Sequence, residues 1–332
     1  MTIIIIFLIL NLLNLTLFDW YSRKIILIDE PNEERKIHSK SVSKIGGFLF
    51  LLNFILILIF SYLFDLEDNS SFLYSLSDYL SIFLGGILFF YLGYYDDKFY
   101  INAFRRLIFS SLILVGLLLI DNDLNITYLN FSFIEEQIYT ERFSIYFTVL
   151  CILLFLNAFN MFDGINLQSG IYFIFILSVI IFKNFLIILP IIFIFCSIVF
   201  LYLNYRQRLF LGNNGSMLIA FIISFLLIKA HNESYLFADE IFLIMLVPGI
   251  DMLRLFTSRL LNGKSPFKAD NFHLHHIILN NHSLIKTNLI IQSLIILPYI
   301  LSLLSGMIIL SILVTLILYS FVFFLYGKNT FN

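Results

Sequence analysis

The chain has 332 residues, of which 60% are hydrophobic and only 13% charged, and its mean hydropathy is +0.96. This excludes an ordinary water-soluble domain, in which charged residues make up about a quarter of the chain. A net charge of -2 says nothing about partners once the charges are sorted by side, no nucleic-acid partner is expected, and Cys151 and Cys196, both inside apolar runs, read as small core side chains and not as a disulfide or metal site.

Backbone amides find no water in hydrocarbon, so such a chain is expected to be all-α, a polytopic transmembrane helical bundle crossed by runs of about 20 apolar residues. Eleven runs fall at about 2–19, 45–64, 79–95, 106–121, 144–162, 168–183, 185–204, 215–230, 237–253, 287–304 and 307–326. Those near Lys183 and Gly306 are short or closely spaced, which makes ten the alternative count. The first run has no basic n-region and no small-residue cleavage site, and its first positive charge is Arg23, so it is expected to stay as a helix. With eleven crossings the lysines and arginines divide 17 to 3, only Arg142, Lys183 and Lys229 falling on the minority side. Cytoplasmic loops carry the basic excess, which places the N-terminus outside and the C-terminus inside. A single integral-membrane unit over 1–332, without internal repeats, is the expected organisation.

Five inner segments stand apart. After the first run come Pro31, Asn32, Arg35, Lys36 and His38, ending at Gly46-Gly47 where the next helix starts. Basic residues beside free backbone N–H groups can hold a phosphate; an ordinary positive-inside loop is the plainer reading. At the inner end of the third run lie Asp96 and Asp97. Adjacent carboxylates repel, and a divalent cation relieves that repulsion. Mg²⁺ takes one or two carboxylates and completes its shell with water and phosphate oxygens, so the pair suits a diphosphate substrate; a helix-end cap or lysine pairing is the alternative.

The fifth run ends in Asn157, Asn160, Asp163-Gly164 and Asn166. The spacing of three places two amides and a carboxylate on one helical face, an arrangement costly in a membrane, with interhelical hydrogen bonding as the plainer account. Arg206, Arg208 and Gly212-Asn213-Asn214-Gly215-Ser216 lead into a helix N-terminus, which favours a phosphate or reflects simple capping. The last inner segment holds Arg254, Arg259, Lys264, Lys268, Asp270, His273, His275 and His276. Three histidines without cysteine, and outside a helical H-E-x-x-H pattern, fit phosphate contact by imidazole or imidazolium better than zinc. On the opposite side Asp65, Glu67, Asp68, Asp78, Asp121, Asp123, Glu135, Glu136, Glu141 and Glu233 read as solvated loop, and the alternation around Thr127, Tyr128, Phe131 and Phe133 suggests an external hairpin.

In register, the five segments resemble the polyprenyl-phosphate N-acetylhexosamine-1-phosphate transferases, the MraY/WecA type of glycosyltransferase family 4, over nearly the whole chain. Pro31-Asn32…Arg35-Lys36…His38…Gly46-Gly47 and Asp270…His273-Leu274-His275-His276 are more similar to the branch that uses UDP-GlcNAc-like donors than to the branch that makes lipid I. The resemblance implies a Mg²⁺-dependent enzyme, with Mn²⁺ as an alternative ion, in the bacterial inner membrane with its active site facing the cytoplasm. It would transfer a HexNAc 1-phosphate from a UDP-HexNAc to undecaprenyl phosphate with release of UMP, initiating a lipid-linked glycan such as O-antigen. Asp96, Asp97 and Asp163 are then the implied catalytic residues, and Asp96, Asp97 and Asn213 the implied metal set. Arg35, Lys36, His38, Asn157, Asn160, Asp163, Asn166, Gly212, His273, His275 and His276 are the implied substrate ligands, and a homodimer is implied by resemblance alone.

Three positions depart from the family. Asn213 stands where it usually has a metal-binding Asp, offering an oxygen without a charge; Ser43 replaces a usual Pro; and the Asp163-Gly164-Ile165-Asn166 stretch is one residue shorter before Gly170. A catalytically degenerate scaffold of a polysaccharide-assembly complex is therefore one alternative. A membrane transporter is the other, although it predicts functional polar residues near the bilayer midplane and related halves.

Overall fold

The computed structural model describes residues 2–25, 27–31, 41–64, 76–267 and 270–327. Among them the order is α1 (Thr2–Lys24), β1 (Ile28–Asp29), β2 (Val42–Ser43), α2 (Gly46–Phe64), α3 (Leu76–Phe99), α4 (Ala103–Ile120), β3 (Tyr128–Phe131), β4 (Ile134–Tyr139), α5 (Ser144–Phe162), α6 (Gln168–Phe182), α7 (Ile188–Tyr205), α8 (Gly212–Asn232), α9 (Ala238–Leu261), α10 (Leu274–Leu279), α11 (Leu284–Ser305) and α12 (Ile308–Gly327). Ten of these helices are long and apolar enough to cross a membrane. The protein is a multi-pass, all-α membrane protein.

The 15-residue α6 falls below that length, yet it runs the length of the bundle. At its start the Gln292 amide of α11 donates to the Gln168 carbonyl; half-way along, the Phe175 and Tyr299 rings meet edge to face; just past its end Lys183 pairs with Glu240, to which Tyr299 also donates. Among the described residues ten helices thus have the length to cross, the alternative count, with α6 as a shorter apolar helix beside them and the six-residue α10 as a connector. The external hairpin is β3–β4, with Tyr128 opposite Tyr139 and Leu129 opposite Ile138.

The centre of the bundle is α8, whose membrane-length segment is entirely buried, whereas the corresponding segments of α1 and α12 are only 17% buried. Its chief neighbour is α3, with α2 and α5 beside it. Without a hydrophobic drive between helices in lipid, close packing relies on small residues. A Cβ on Gly85 would come within 2.1 Å of the Phe221 ring, and one on Gly93 within 2.2 Å of the Asn213 carbonyl oxygen.

Arg142 of the minority side is exposed, but Lys229 is not. Lys229 is buried against Asp78 at 2.6 Å and Asp121 at 3.4 Å, and Ser81 donates to Asp121. The expectation that Asp78 and Asp121 lie in solvated loop is thereby corrected: each is 1% exposed, because a lysine in hydrocarbon must bring its counter-charges with it. Asp65, Glu67 and Asp68 lie outside the described residues. Cys151 and Cys196 are free thiols.

Candidate active site

At the end of the bundle opposite Lys229, a cavity of about 350 Å³ is lined by Lys44, Asp97, Asn160, Asp163, Gly164, Asn166, Asn204, Gly212, Asn213 and His276, among others. All five inner segments thus contribute to one space. From the first, Arg35, Lys36 and His38 lie outside the described residues; its described contribution is Lys44, paired with Asp29 at 2.7 Å.

Residues one apart on a helix point about 100° apart, and α3 continues through both adjacent acids. Asp97 faces the cavity. Its Oδ2 accepts from the backbone N–H of Asn214 at 2.9 Å and from the Asn214 amide at 2.6 Å, so it caps the N-terminus of α8, where a carboxylate meets unpaired N–H groups and the positive end of the helix dipole. Asp96 faces away. It accepts from Arg106 at 2.9 Å and from the Ile101 N–H at 2.7 Å, tying α3 to α4, and it does not line the cavity. Of the two adjacent acids, Asp97 alone lines the cavity.

The carboxylate that does share the cavity with Asp97 is Asp163, the C-cap of α5. Burial raises its pKa to about 7, against a lowering hydrogen bond from Ser169 and with a further push from the charge of Asp97. Two carboxylates crowded in this way are a donor set that fits a divalent cation, which would take both and leave its other positions to water and phosphate oxygens.

The Asn160 amide donates to Asn213 Oδ1 and to Ser216 Oγ, each at 2.8 Å. The Asn213 oxygen expected to meet a metal is thus turned toward α5. Asn157 instead returns its amide to the Leu153 carbonyl one turn back and does not line the cavity. Asn166 donates to the Asn204 carbonyl, and Asn204 accepts from the Leu167 N–H. Gly212 has φ +72°, a left-handed turn into α8 that a side chain would strain, and a Cβ there would lie 2.9 Å from Asp97 Oδ2. Gly46 and Gly47 have no free N–H for a phosphate: they donate to the carbonyls of Phe210 and Leu211, fastening α2 to the turn before α8.

The histidines form a stack behind the cavity. Only His276 lines it, while His273 and His275 are buried with parallel rings 5.1 Å apart. His275 Nε2 has no partner among the described residues and would sit 2.0 Å from a Cβ at position 164, so only glycine fits beside Asp163. Burial drives the His275 pKa well below the imidazole value and, with the nearby His273, lowers that of His276 to about 4. Both are therefore neutral near pH 7, which corrects the imidazolium option for them.

The stack is positioned by a residue the sequence reading passed over. Asp251, inside α9, accepts from Tyr319 at 2.8 Å, Arg254 at 2.8 Å and the Leu274 N–H at 3.2 Å, and its Oδ2 meets His273 Nδ1 at 2.9 Å. Arg254 also donates to the Phe272 carbonyl, and Arg259 to Asp270. Asp251, His273 and His275 are close enough to share a metal ion, but the guanidinium already occupies that carboxylate. The signal for Asp251 was present in the sequence, since an acid within an apolar run needs a partner. Lys44, Asn204 and Asn214 carried no comparable signal.

Residues 79–231 match glycosyl transferase family 4. That stretch of the chain, rather under half of its length, is similar to this family. It is 29% identical over 294 residues to the undecaprenyl-phosphate alpha-N-acetylglucosaminyl 1-phosphate transferase of Salmonella typhi, covering 80% of this chain and 73% of that one. It is 27% identical, with the same coverage, to the protein of that name in Escherichia coli K12, and 26% identical to that of Yersinia pestis over 77% of this chain and 70% of the relative. These likenesses support the UDP-GlcNAc-type branch of the family over the transporter reading.

Proposed function

We propose that the chain transfers an N-acetylhexosamine 1-phosphate, GlcNAc or a close relative, from a UDP-sugar to undecaprenyl phosphate with release of UMP, at the cytoplasmic face of a bacterial inner membrane. The relatives' names carry the acceptor and the sugar phosphate to this chain. The observation that carries the chemistry is the pair Asp97 and Asp163 lining one cavity, and a separate apolar groove has walls that suit an isoprenoid chain.

That groove, about 560 Å³, runs between α5, α8 and α9 from the hairpin residues Phe131 and Phe133 to Ala158 and Met252. In the transfer, a phosphate oxygen of the carrier forms a bond to the sugar-proximal phosphorus, and the bond from that phosphorus to the bridging oxygen breaks, leaving on UMP. A carrier phosphate ionised near pH 7 needs no strong base. The protein's task is positioning and charge neutralisation.

Asp97 and Asp163 would hold Mg²⁺, which when bound supplies neutralisation of the diphosphate charge. Asn160 and Asn166 orient the nucleotide sugar, neutral His276 contacts a phosphate oxygen, and Lys44 contributes positive charge at the rim. Asp96 serves indirectly, by holding Arg106 and the α3–α4 turn. The purified protein, incubated with UDP-GlcNAc, undecaprenyl phosphate and Mg²⁺, is expected to release UMP. No UMP from any of a panel of UDP-HexNAc donors would overturn the proposal in favour of a non-catalytic scaffold.

A further inference from the structure

We infer that Asn213 is a hydrogen-bond donor to an anionic oxygen of the nucleotide-sugar diphosphate and not a ligand of the cation; this rests on the transferase reading above. The orientation of its amide follows from a chain of donors and acceptors. Ser216 Oγ gives its one hydrogen to the Asn213 carbonyl, at 3.4 Å. Toward Asn160, 2.8 Å away, the hydroxyl accepts, and the Asn160 atom that faces it is the amide nitrogen. That same nitrogen lies 2.8 Å from the Asn213 side chain, and a primary amide nitrogen has no acceptor capacity. The Asn213 atom in contact must be oxygen.

The NH₂ group of Asn213 is left over. It donates to no group among the described residues, and Asn213 lines the cavity beside Asp97 and Asp163. It belongs to the first turn of α8, where the helix dipole and unpaired N–H groups attract an anion and oppose a cation. A carboxylate at this position would overcome that bias by its charge; a neutral amide does not. The cation is thus left to two carboxylates, and position 213 turns to the phosphate that the cation accompanies.

The test uses the full chain in lipid nanodiscs, Mn²⁺ as the cation probe read by electron paramagnetic resonance, and UDP-GlcNAc at saturating Mn²⁺ read by calorimetry. Asn213→Ala is expected to keep the Mn²⁺ Kd within twofold of wild type and to weaken UDP-GlcNAc about tenfold or more, as loss of a hydrogen bond to a charged acceptor does. Asn213→Asp keeps an oxygen facing Asn160 and exchanges the donor for a charge, so it guards against a folding defect in the alanine variant. It is expected to bind Mn²⁺ at least tenfold more tightly and UDP-GlcNAc more weakly than wild type. A tenfold loss of Mn²⁺ affinity in Asn213→Ala, or UDP-GlcNAc affinity unchanged in both variants, overturns the inference. Wild-type protein that binds no UDP-GlcNAc at all sinks the transferase reading itself.

Discussion

Replacing Gly93 by alanine tests whether the close approach of α3 to α8 sets the active-site geometry. A Cβ at position 93 would lie 2.2 Å from the Asn213 carbonyl oxygen, 2.5 Å from its carbon and 2.6 Å from the Asn214 nitrogen, all of them backbone atoms, while ordinary contact begins at 3.4 Å. The helices must therefore part by about 1.2 Å at the turn that carries Asn213 and receives the Asp97 cap. A misplacement of about 1 Å costs on the order of 100-fold in rate where catalysis rests on positioning. Gly93→Ala is expected to lower kcat for UMP release by about that factor. Alanine's better helix propensity, worth about 1 kcal/mol, offsets part of the strain, so the variant still folds and inserts. Gly116→Ala on α4 is the control, since nothing lies within 4 Å of its Cβ position, and it should leave turnover unchanged. Turnover of Gly93→Ala within threefold of wild type would refute the reasoning.

The two adjacent acids should separate cleanly: Asp97→Asn abolishes tight Mn²⁺ binding, whereas Asp96→Asn lowers thermal stability and leaves the Mn²⁺ Kd within a few fold. Asp251→Ala strands Arg254 and His273 in the interior and is expected to cost about 3–5 kcal/mol, the usual loss when one partner of a buried pair is removed; an unchanged unfolding temperature in detergent would count against its anchoring role. Lys229→Met, which strands Asp78 and Asp121, should destabilise by a similar amount, with restoration when both acids are also made amides. His276 has a folded pKa of about 4, below the ordinary imidazole value, so the stability tied to its neutral form is complete above pH 6.5 and lost as pH falls from there toward 4, at up to about 1.4 kcal/mol per unit. His273, Asp251 and Asp270 face it, and His276→Gln should lessen the pH dependence of thermal unfolding over that interval, leaving the part that His275 contributes.

Much of this was legible in the sequence because membrane physics leaves few choices. Apolar runs gave the crossings, and the 17 to 3 division of basic residues gathered the five polar segments at one end, where each of them sends at least one residue to the cavity. What escaped were matters of direction. Whether Asp96 or Asp97 faces the cavity depends on α3 continuing to Phe99, four residues beyond the apolar run. Whether Asn213 offers oxygen or nitrogen depends on Asn160 and Ser216, distant in sequence or ambiguous in role. The free N–H groups expected at Gly46 and Gly47 were consumed by a turn more than 160 residues away. Composition cannot report such partners, because the cost of leaving a buried group unpaired is settled only when the helices meet.

The placement of the two charged anchors on α3 explains how a helix with no exposed surface holds its register. Asp78, in the first turn of α3, takes Lys229 near the end of α8, and Asp97, in its last turn, takes the backbone N–H at the start of α8. The helices are antiparallel, and the residues anchored on α8 lie about 23 Å apart along its axis. Sliding α8 by one turn, about 5.4 Å, would break both anchors at once and leave a lysine and two aspartates unpaired in the membrane interior. Apolar contacts alone would tolerate such a slip, since one leucine or phenylalanine replaces another at modest cost. The buried ion cluster at one end of α8 and the cap at the other therefore act as one device, and it is this device that brings Asn213 to the same cavity as Asp97 and Asp163.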